Sequence, residues 1–596
     1  MDYGSVNQLM KVEKPSRYIG GELNSITKNK KNIAVRFALA FPDTYEIGMS
    51  FLGFKILYHV LNLREDTWAE RTYAPWTDMA DVMRKEGMKL HALESGDDLA
   101  EFDFVAFTLQ YEMSYTNILY MLDLAEIPAR SADRLESDPI IMGGGPCAYN
   151  PEPVADFFDI FLIGEGEDAI NTLVDLYKEC KQVGISKTGY LQRADELPFV
   201  YVPALNNREK IVTKAIVKDL DAAAFPEAFL VPYADAVHNR AVIELFRGCS
   251  RGCRFCQAGM TYRPVREKSK ETLLAQAEKI IDATGYDEIG VISLSSADYS
   301  QIDATIESLL NKFASCGVGI SMPSLRIDAF SVGLAEKVQS VRKSGLTFAP
   351  EAGSQKMRNS INKNINEEDI FATVDAAIRA GWKNFKLYFM IGLPGEDDSD
   401  VLAIADLSSR IAEYKVDGKG VNRLTVSVSN FVPKAFTPFQ WDALDNTEEL
   451  RRKHYLIKHA FRSRKVSFSY HDEKLSFLEA IFARGGRKLS QVIETAYANG
   501  CFFDGWGDKF KFDKWLEAFE QCEINPEEVA YNKYNFSDKL PWDHISCGVD
   551  KTFLQAEKQR ANELLPTPDC RKNECSACGV CPNLEAGNVF ANEGGN

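Results

Sequence analysis

Three closely spaced cysteines constrain this chain more than any other feature of its sequence. Cys249, Cys253 and Cys256 follow the pattern C-x3-C-x2-C, and an aromatic residue, Phe255, precedes the third thiol. Thiolates on one short loop can bind three irons of a cubane cluster and leave the remaining iron open for a substrate or cofactor. A structural zinc site is closed by four ligands, and no fourth cysteine or histidine lies near this loop in the sequence. The spacing therefore predicts an iron–sulfur cluster with an open iron.

The residues around the loop predict its place in the fold. The apolar run at 241–246 is typical of a buried strand, so the cysteines follow the carboxyl end of a strand. Active sites of α/β folds lie at this end of their strands. Strand-like segments at 241–248, 289–295, 318–323, 345–350, 384–391 and 423–429 alternate with helical patterns at 270–284, 301–315, 332–344, 366–381 and 398–414. Six β/α units with right-handed crossovers predict a parallel sheet curved into a partial barrel.

The cysteine spacing and the strand ends that follow it resemble the radical S-adenosylmethionine (SAM) superfamily. The resemblance implies a (β/α)6 barrel and a [4Fe-4S] cluster whose open iron chelates SAM. It also implies that one electron from this cluster cleaves SAM to methionine and a 5′-deoxyadenosyl radical. The SAM contacts that it implies are Phe255, Ser295, Ser324, Arg326, Glu351, Gly392 and Gly395. Ser295 lies in the segment 293–298, which departs from the usual Gly-Gly-Glu form.

The first 185 residues carry a second α/β pattern. Strands are predicted at 33–40, 88–93, 103–109, 138–143 and 158–163, and helices at 50–62, 76–86, 114–125 and 167–180. Short turns rich in glycine and proline follow several of these strands. The pattern predicts a doubly wound sheet, Rossmann-like or flavodoxin-like, with a ligand crevice at the carboxyl ends of its strands.

A domain of this kind directly before a radical SAM barrel resembles the cobalamin-binding modules of one radical SAM class. With the segments 255–267 and 431–441, nearly the whole chain resembles an uncharacterised bacterial subfamily of that class. The cobalamin contacts that the resemblance implies are Asp43, Gly48, Gln110, Glu112, Gly143, Gly144 and Gly145. The motif Asp-x-His-x-x-Gly, whose histidine replaces the lower axial base, is absent. We therefore expect cobalamin in a base-off state without a histidine ligand; the alternative is that the domain has lost cobalamin and only holds substrate.

Four further cysteines lie close to the end of the chain. Cys570, Cys575, Cys578 and Cys581 follow the pattern C-x4-C-x2-C-x2-C and precede a proline. Such spacing favours an auxiliary iron–sulfur cluster. The same thiolates would also satisfy a tetrahedral zinc site, and a disordered, reduced tail is the third interpretation.

These patterns predict a division of the chain into five parts. Residues 1–185 are expected to form the cobalamin-binding-like domain, 186–238 a linker with a small hairpin, and 239–445 the radical SAM core. Residues 446–545 are expected to be mostly helical, and 546–596 to form a cysteine-rich tail.

Composition restricts the functions that are open to the chain. Its formal net charge is −17, which argues against a large non-specific nucleic-acid surface. Thirteen cysteines, seven of them in the two clusters, suit a reducing cytoplasm in which thiols bind metals. The sequence shows no apolar run of membrane-spanning length and no export signal at its start, so we expect a cytoplasmic protein without a membrane segment.

The sequence predicts a radical SAM enzyme that is reduced by a protein of the flavodoxin or ferredoxin type. If cobalamin is bound, the expected outcome is methyl transfer to an unactivated carbon; the substrate, whether small molecule, peptide or RNA, is not readable. One alternative is methylthiotransferase-like sulfur insertion. That activity uses three cluster cysteines in the N-terminal domain, where only Cys147 and Cys180 occur. Another alternative is a non-catalytic cobalamin or iron–sulfur sensor.

Overall fold

A computed structural model describes residues 6–205, 209–322, 346–572 and 575–591. It contains two α/β units with mainly parallel sheets, followed by a helical region and a cysteine-rich C-terminal segment. The predicted fold class is therefore confirmed.

The N-terminal unit is a six-stranded sheet in the order β2-β1-β3-β4-β5-β6. Its strands are β1 (Val35–Phe41), β2 (Thr67–Tyr73), β3 (Phe104–Thr108), β4 (Ile140–Gly144), β5 (Ile160–Leu162) and β6 (Val200–Tyr201). The first five strands run parallel, and β6 is antiparallel to β5. The order 2-1-3-4-5 is that of flavodoxin-like sheets, which bind ligands at the carboxyl ends of their strands near the point where the order reverses.

One edge of this sheet differs from the prediction. The segment 88–93 was expected to be a strand, but it makes only an isolated bridge between His91 and Asp98. The edge position is taken by β2, which was not predicted because Glu70 and Arg71 interrupt its apolar pattern. Arg71 is fully buried, and two carboxylates, of Glu22 and Glu94, each lie 2.6 Å from its guanidinium. The ion pairs allow a charged strand to be buried.

Helices of the N-terminal unit cover both faces of its sheet and match the predicted segments closely. They are Leu52–Leu63, Thr77–Glu86, Tyr115–Leu124 and Gly166–Gln182. The segment 186–238, expected to be a linker, also contains the helix Lys187–Asp195 and β7 (Val212–Thr213).

The second unit provides a partial barrel. Strands β12, β11 and β8 pair in parallel, as do β13, β14, β17 and β18. The remaining strands are β7 (Val212–Thr213), β8 (Ala241–Glu244), β9 (Phe246–Arg247), β10 (Arg266–Glu267), β11 (Glu288–Ile292), β12 (Gly319–Ser321), β13 (Leu346–Glu351), β14 (Asn384–Ile391), β15 (Lys415–Val416), β16 (Lys419–Gly420), β17 (Arg423–Asn430), β18 (Val466–Tyr470) and β19 (Ile545–Ser546). Each of the six predicted strands has a counterpart here, and β18 adds a strand that was not predicted. The helix predicted at 332–344 lies outside the described residues.

The helices between these strands begin and end where local signals predict. Ser269 caps the helix Lys270–Thr284 and Gly285 ends it in a left-handed conformation. Capping boxes at Asn366 and Asp397 start the helices Glu367–Arg379 and Asp398–Glu413. The other longer helices are Ile302–Phe313, Thr447–Ala460, Glu473–Arg484, Leu489–Ala498, Phe512–Gln521 and Lys551–Asn562. None of the described helices has the length and apolar character needed to span a membrane.

The helical region packs back onto the N-terminal unit. The backbone N–H of Phe503 donates to Asn117 Oδ1 at 2.6 Å, and the Thr116 hydroxyl donates to Asp504 Oδ2 at 2.7 Å. Strand β7 pairs with β19, close to the C-terminal end of the chain. The C-terminal third therefore packs against the N-terminal unit and the segment that follows it.

Candidate active site and interdomain cavity

The cysteine loop begins directly after β9, at a glycine that the backbone requires. Gly248 has φ +92°, and a Cβ at this position would collide with the carbonyl of Pro264. Gly252, within the loop, has φ +72°. Residues other than glycine adopt these angles only with strain. The local sequence therefore forces the tight loop on which the three cysteines lie.

The three thiols of this loop are electrostatic neighbours. Burial, followed by the charges of Cys253 and Cys249, raises the pKa of Cys256 to about 12. The backbone N–H of Gly259 donates to Cys256 Sγ at 3.3 Å. Three partly buried thiolates on one loop have the donor chemistry of an iron–sulfur cluster. Across the described residues, no three His, Cys, Asp or Glu side chains already stand in metal-binding geometry.

The structure gathers several of the predicted SAM contacts around this loop. Phe255 packs against an apolar cluster that contains Ala352, the neighbour of Glu351, and Leu393, which lies between Gly392 and Gly395. Ala352 and Leu393 follow the carboxyl ends of β13 and β14, so the barrel brings both residues close to Phe255.

Glu351 lies at the end of β13 in a left-handed conformation, with φ +67°. Its Oε1 is 3.1 Å from Nζ of Lys363, whose positive charge also favours the thiolate form of Cys256. The carboxylate is therefore held close to the cysteine loop by a lysine that acts on both groups.

The glycine turn after β14 opens onto a polar cavity of about 550 Å³. Gly392 and Gly395 both line it, with φ +79° and +82°. The N–H of Gly392 donates to Glu396 Oε1 at 2.8 Å, and Nζ of Lys453 lies 2.8 Å from the same oxygen. This buried ion pair fixes the turn.

Ser295 is buried in the turn that follows β11. The same turn contains Asp298, whose Oδ2 accepts from Arg251 Nε of the cysteine loop at 2.8 Å. The turn therefore lies beside the loop. Ser324 and Arg326 lie outside the described residues.

A second, mostly apolar cavity of about 590 Å³ lies between the two α/β units. On one side it is lined by the carboxyl halves of β1, β3, β4 and β5, and on the other by β8, β9 and the turn after β11. Cofactor pockets commonly measure about 300–1,000 Å³ and are mostly apolar. The cavity reaches Gly248, the residue before Cys249, so it adjoins the cysteine loop.

Four of the predicted cobalamin contacts line this cavity: Gln110, Gly143, Gly144 and Gly145. A Cβ at Gly143 would lie 2.8 Å from the ring of Phe161. Gly145 has φ +107°, and a Cβ there would lie 2.9 Å from the carbonyl oxygen of Leu109. Glycine is therefore needed at both positions, and it leaves bare backbone facing the cavity.

The other three predicted contacts do not line the cavity in this structure. Asp43 Oδ1 accepts from the indole N–H of Trp506 at 3.0 Å. A Cβ at Gly48 would collide with the ring of Tyr73. Glu112 lies 2.6 Å from Nζ of Lys434.

Three basic residues on the cavity were not predicted from the sequence: His238, Arg240 and Arg247. Burial and the charges of Arg240 and Lys55 lower the pKa of His238, so its imidazole is neutral near pH 7. His238 falls in the predicted linker, where nothing in the local pattern indicated a site. Arg247 lies two residues before Cys249, and that position could have singled it out.

Arg247 is the centre of a buried charge network on the cavity wall. Its guanidinium lies 3.0 Å from Glu244, 3.2 Å from Glu165 and 2.9 Å from Glu167. Glu165 also binds Arg266, at 2.7 Å. The carboxylates come from both α/β units, so this network joins the two walls of the cavity.

Comparisons with known proteins agree with this architecture. Residues 53–203 match the family described as radical SAM proteins, N-terminal, and residues 243–408 match the radical SAM superfamily. An uncharacterised protein of Methanocaldococcus jannaschii is 27% identical over 491 residues, which cover 82% of this chain and 97% of that protein.

Two of the solved structures that match this chain contain bound cobalamin. OxsB, described as a cobalamin-dependent S-adenosylmethionine radical enzyme with aqua-cobalamin and S-adenosylmethionine bound, gives a TM-score of 0.50 at 12% identity; the match covers 97% of this chain and 88% of OxsB. TsrM of Kitasatospora setae, a radical S-adenosylmethionine methyltransferase, gives 0.44 at 11% identity, with 66% of this chain and 75% of TsrM covered. With the cysteine loop at the mouth of a parallel barrel and a radical SAM family model matched to each of the two α/β units, this protein belongs to the radical SAM superfamily and is a radical SAM enzyme.

Proposed function

We propose that Cys249, Cys253 and Cys256 hold a [4Fe-4S] cluster at which SAM is cleaved reductively, and that cobalamin binds in the interdomain cavity. In this proposal the enzyme transfers a methyl group to an unactivated carbon of its substrate. The observation that supports it best is the position of the cavity. One wall is the ligand-binding edge of a flavodoxin-like sheet, and the other leads directly into the cysteine loop. The likeness in fold to OxsB agrees with this assignment.

When bound, the cluster supplies an electron for SAM cleavage and cobalamin supplies a transferable methyl group. The chain's own residues bind and enclose these groups. Gly143, Gly144 and Gly145 present backbone to a large flat ligand, and the apolar walls exclude water from the reacting groups. In this proposal Glu351 accepts hydrogen bonds from SAM, and Phe255 packs beside the glycine turn after β14.

The lower face of cobalamin is expected to lack a protein ligand, as the missing histidine motif suggests. Among the described residues that line the cavity, His238 is the histidine that could bind the lower face instead. The backbone N–H of His238 donates to Ser50 Oγ at 3.0 Å. The state of the cobalt therefore tests the role of His238 directly.

Sulfur insertion is less well supported than methyl transfer. Cys147 and Cys180, the cysteines of the N-terminal domain, do not line the cavity. Cys180 is buried in the core, and burial raises the pKa of Cys147 well above its usual range. Two separate cysteines do not provide the three ligands that a second cluster would need. Three expectations stay predictions: that a protein of the flavodoxin or ferredoxin type is the reductant, that the enzyme is cytoplasmic, and that it is of bacterial origin.

The test is anaerobic reconstitution with iron and sulfide, followed by incubation with SAM and a reductant. Wild-type protein should produce 5′-deoxyadenosine. The triple variant with Cys249, Cys253 and Cys256 changed to alanine should produce none while keeping its far-UV circular dichroism, because the cysteines lie on a loop. Cys316→Ala, at an exposed thiol, is the matched control. 5′-Deoxyadenosine from the triple variant would contradict the proposal.

A further inference from the structure

The segment that leads into the second cysteine set packs directly against the first cysteine loop. Arg254 lies between Cys253 and Cys256 and is fully buried. Its Nε donates to Glu557 at 3.0 Å, and its other nitrogens donate to the Leu565 carbonyl at 2.7 Å and to Thr567 Oγ1 at 3.2 Å. Arg254 therefore fastens the first loop to the C-terminal segment.

Asn362 makes a second link between the two segments. Its side-chain amide donates to the carbonyls of Gly252 and Thr567, at 3.1 and 3.2 Å. Its Oδ1 accepts from the backbone N–H of Thr567 at 2.8 Å. Thr567 also donates its hydroxyl to Glu557 at 2.6 Å. Thr567 is thus fixed by groups that also hold the first loop.

The residues on either side of Cys570 extend this contact. Asp569 lies 3.5 Å from Arg251 of the first loop. Arg571 donates to the carbonyl oxygen of Asp298 at 2.8 Å, and Asp298 binds Arg251 in turn. A cysteine of the second set therefore lies within a network of ion pairs that includes the first loop.

A further anchor follows the last cysteine. Asn588 accepts from the backbone N–H of Val265 at 3.0 Å and lies 3.5 Å from Cys570 Sγ. Val589 exchanges backbone hydrogen bonds with Val265 and Glu267, at 2.9 and 3.0 Å. Val265 and Glu267 follow the first loop closely in the sequence. The second cysteine set therefore lies between two anchors, and both are attached to the surroundings of the first loop.

The stretch between the anchors has little core of its own. Cys575 and Cys581 are exposed, and Val580–Asn583 is the only helix described in it. A segment with so few apolar contacts needs another source of order, and four thiolates on a metal provide one because metal binding is coupled to folding.

We propose that Cys570, Cys575, Cys578 and Cys581 bind a metal centre, and that this centre acts as a clamp that fixes the catalytic cysteine loop through residues 567–571 and 588–589. The proposal rests on the proposed role of Cys249, Cys253 and Cys256. The ligand chemistry is that of a thiolate-preferring metal, and either an iron–sulfur cluster or zinc provides it. Arg254, Glu557 and Thr567 are positioning residues in this scheme, since they act through the loop.

The test uses the full chain, reconstituted anaerobically, with Cys575→Ser and Cys578→Ser combined. Iron, sulfide and zinc are counted per chain, and EPR of the reduced protein is recorded with and without SAM. The double variant should lose the second centre and keep the iron of the first. Its rate of SAM cleavage should fall about 10- to 100-fold, the usual loss of activity when support behind a metal ligand is removed. Its affinity for SAM should fall and its SAM-induced EPR change should weaken. Cys316→Ser is the matched control.

A second variant separates the clamp from the metal. Glu557→Gln leaves all four cysteines in place, so the second centre should bind while the SAM-induced EPR change still weakens. Iron and sulfide in the second centre would identify a cluster, and one zinc per chain would identify a zinc site; both support the clamp.

A normal SAM affinity and EPR response in the double cysteine variant, with its second metal lost, would overturn the proposal. Wild-type protein that binds no second metal would overturn it too. Wild-type protein whose first centre does not respond to SAM would instead contradict the proposed function, and the clamp would fall with it.

Discussion

Gly144 offers the sharpest way to block the interdomain cavity without disturbing the fold. It lies at the end of β4 and lines the cavity, and a Cβ there would meet only the carbonyl oxygen of Leu162, at an ordinary contact distance of 3.5 Å. The side chain of Gly144→Leu should therefore extend into the space where we place cobalamin. If its carbons displace about four ligand atoms at about 0.3 kcal/mol each, the loss is about 1.2 kcal/mol, or close to tenfold in affinity.

The assay is titration with hydroxocobalamin, followed by desalting and visible absorbance. Gly144→Ala is the matched control, because a methyl group fits without contact below 3.5 Å and should leave binding near the wild-type value. Gly143→Ala should instead disturb the sheet, since its Cβ would press on the ring of Phe161. Wild-type retention of corrinoid by Gly144→Leu, with an unchanged melting temperature, would refute the placement of cobalamin in this cavity.

Three further predictions address other parts of the molecule. Glu351→Gln should weaken SAM binding in calorimetry while it spares the absorbance of the cluster; unchanged binding would reduce Glu351 to a structural partner of its lysine. Burial raises the pKa of the Asp504 carboxyl to about 6. The free energy of unfolding therefore falls as the pH rises towards and through that value. Asp504→Asn should then stabilise the fold by up to about 3 kcal/mol at pH 8, at about 1.4 kcal/mol per pKa unit. This gain should shrink as the pH falls from 6 towards 4 in thermal unfolding, and a gain that does not depend on pH would contradict it. Lys434→Met should cost about 3 kcal/mol in denaturant unfolding, because Glu112 would stay buried without its cation; a loss below about 1 kcal/mol would show that water replaces the lysine.

The sequence was most informative where local chemistry decides the structure. The helix Lys270–Thr284 matches its predicted bounds because a serine cap and a terminal glycine fix both ends. Both α/β units were predicted from apolar strands followed by glycine turns. Strand β2 was missed because its burial depends on Glu22 and Glu94, which are distant in sequence and become partners of Arg71 only in the fold.

The candidate site shows the same limit. The cysteine triad lies within one loop, and the glycines at 143–145 lie within another. Each is a local pattern, so each could be predicted from the sequence. His238 and Arg240 reach the cavity only because the two α/β units pack together, and no local pattern records that packing. The contact between Arg254 and Glu557 joins residues 303 positions apart, so the clamp could not be predicted either.

The most direct test of the central claim is whether this protein keeps a corrinoid. After incubation with hydroxocobalamin and desalting, the reconstituted wild-type protein should retain about one corrinoid per chain. EPR of the reduced cobalt should lack nitrogen superhyperfine splitting, and His238→Ala should leave that spectrum unchanged. A nitrogen-split spectrum that is lost in His238→Ala would show that this histidine is the axial ligand. Retention of no corrinoid would contradict the cobalamin assignment and leave a radical SAM enzyme without it.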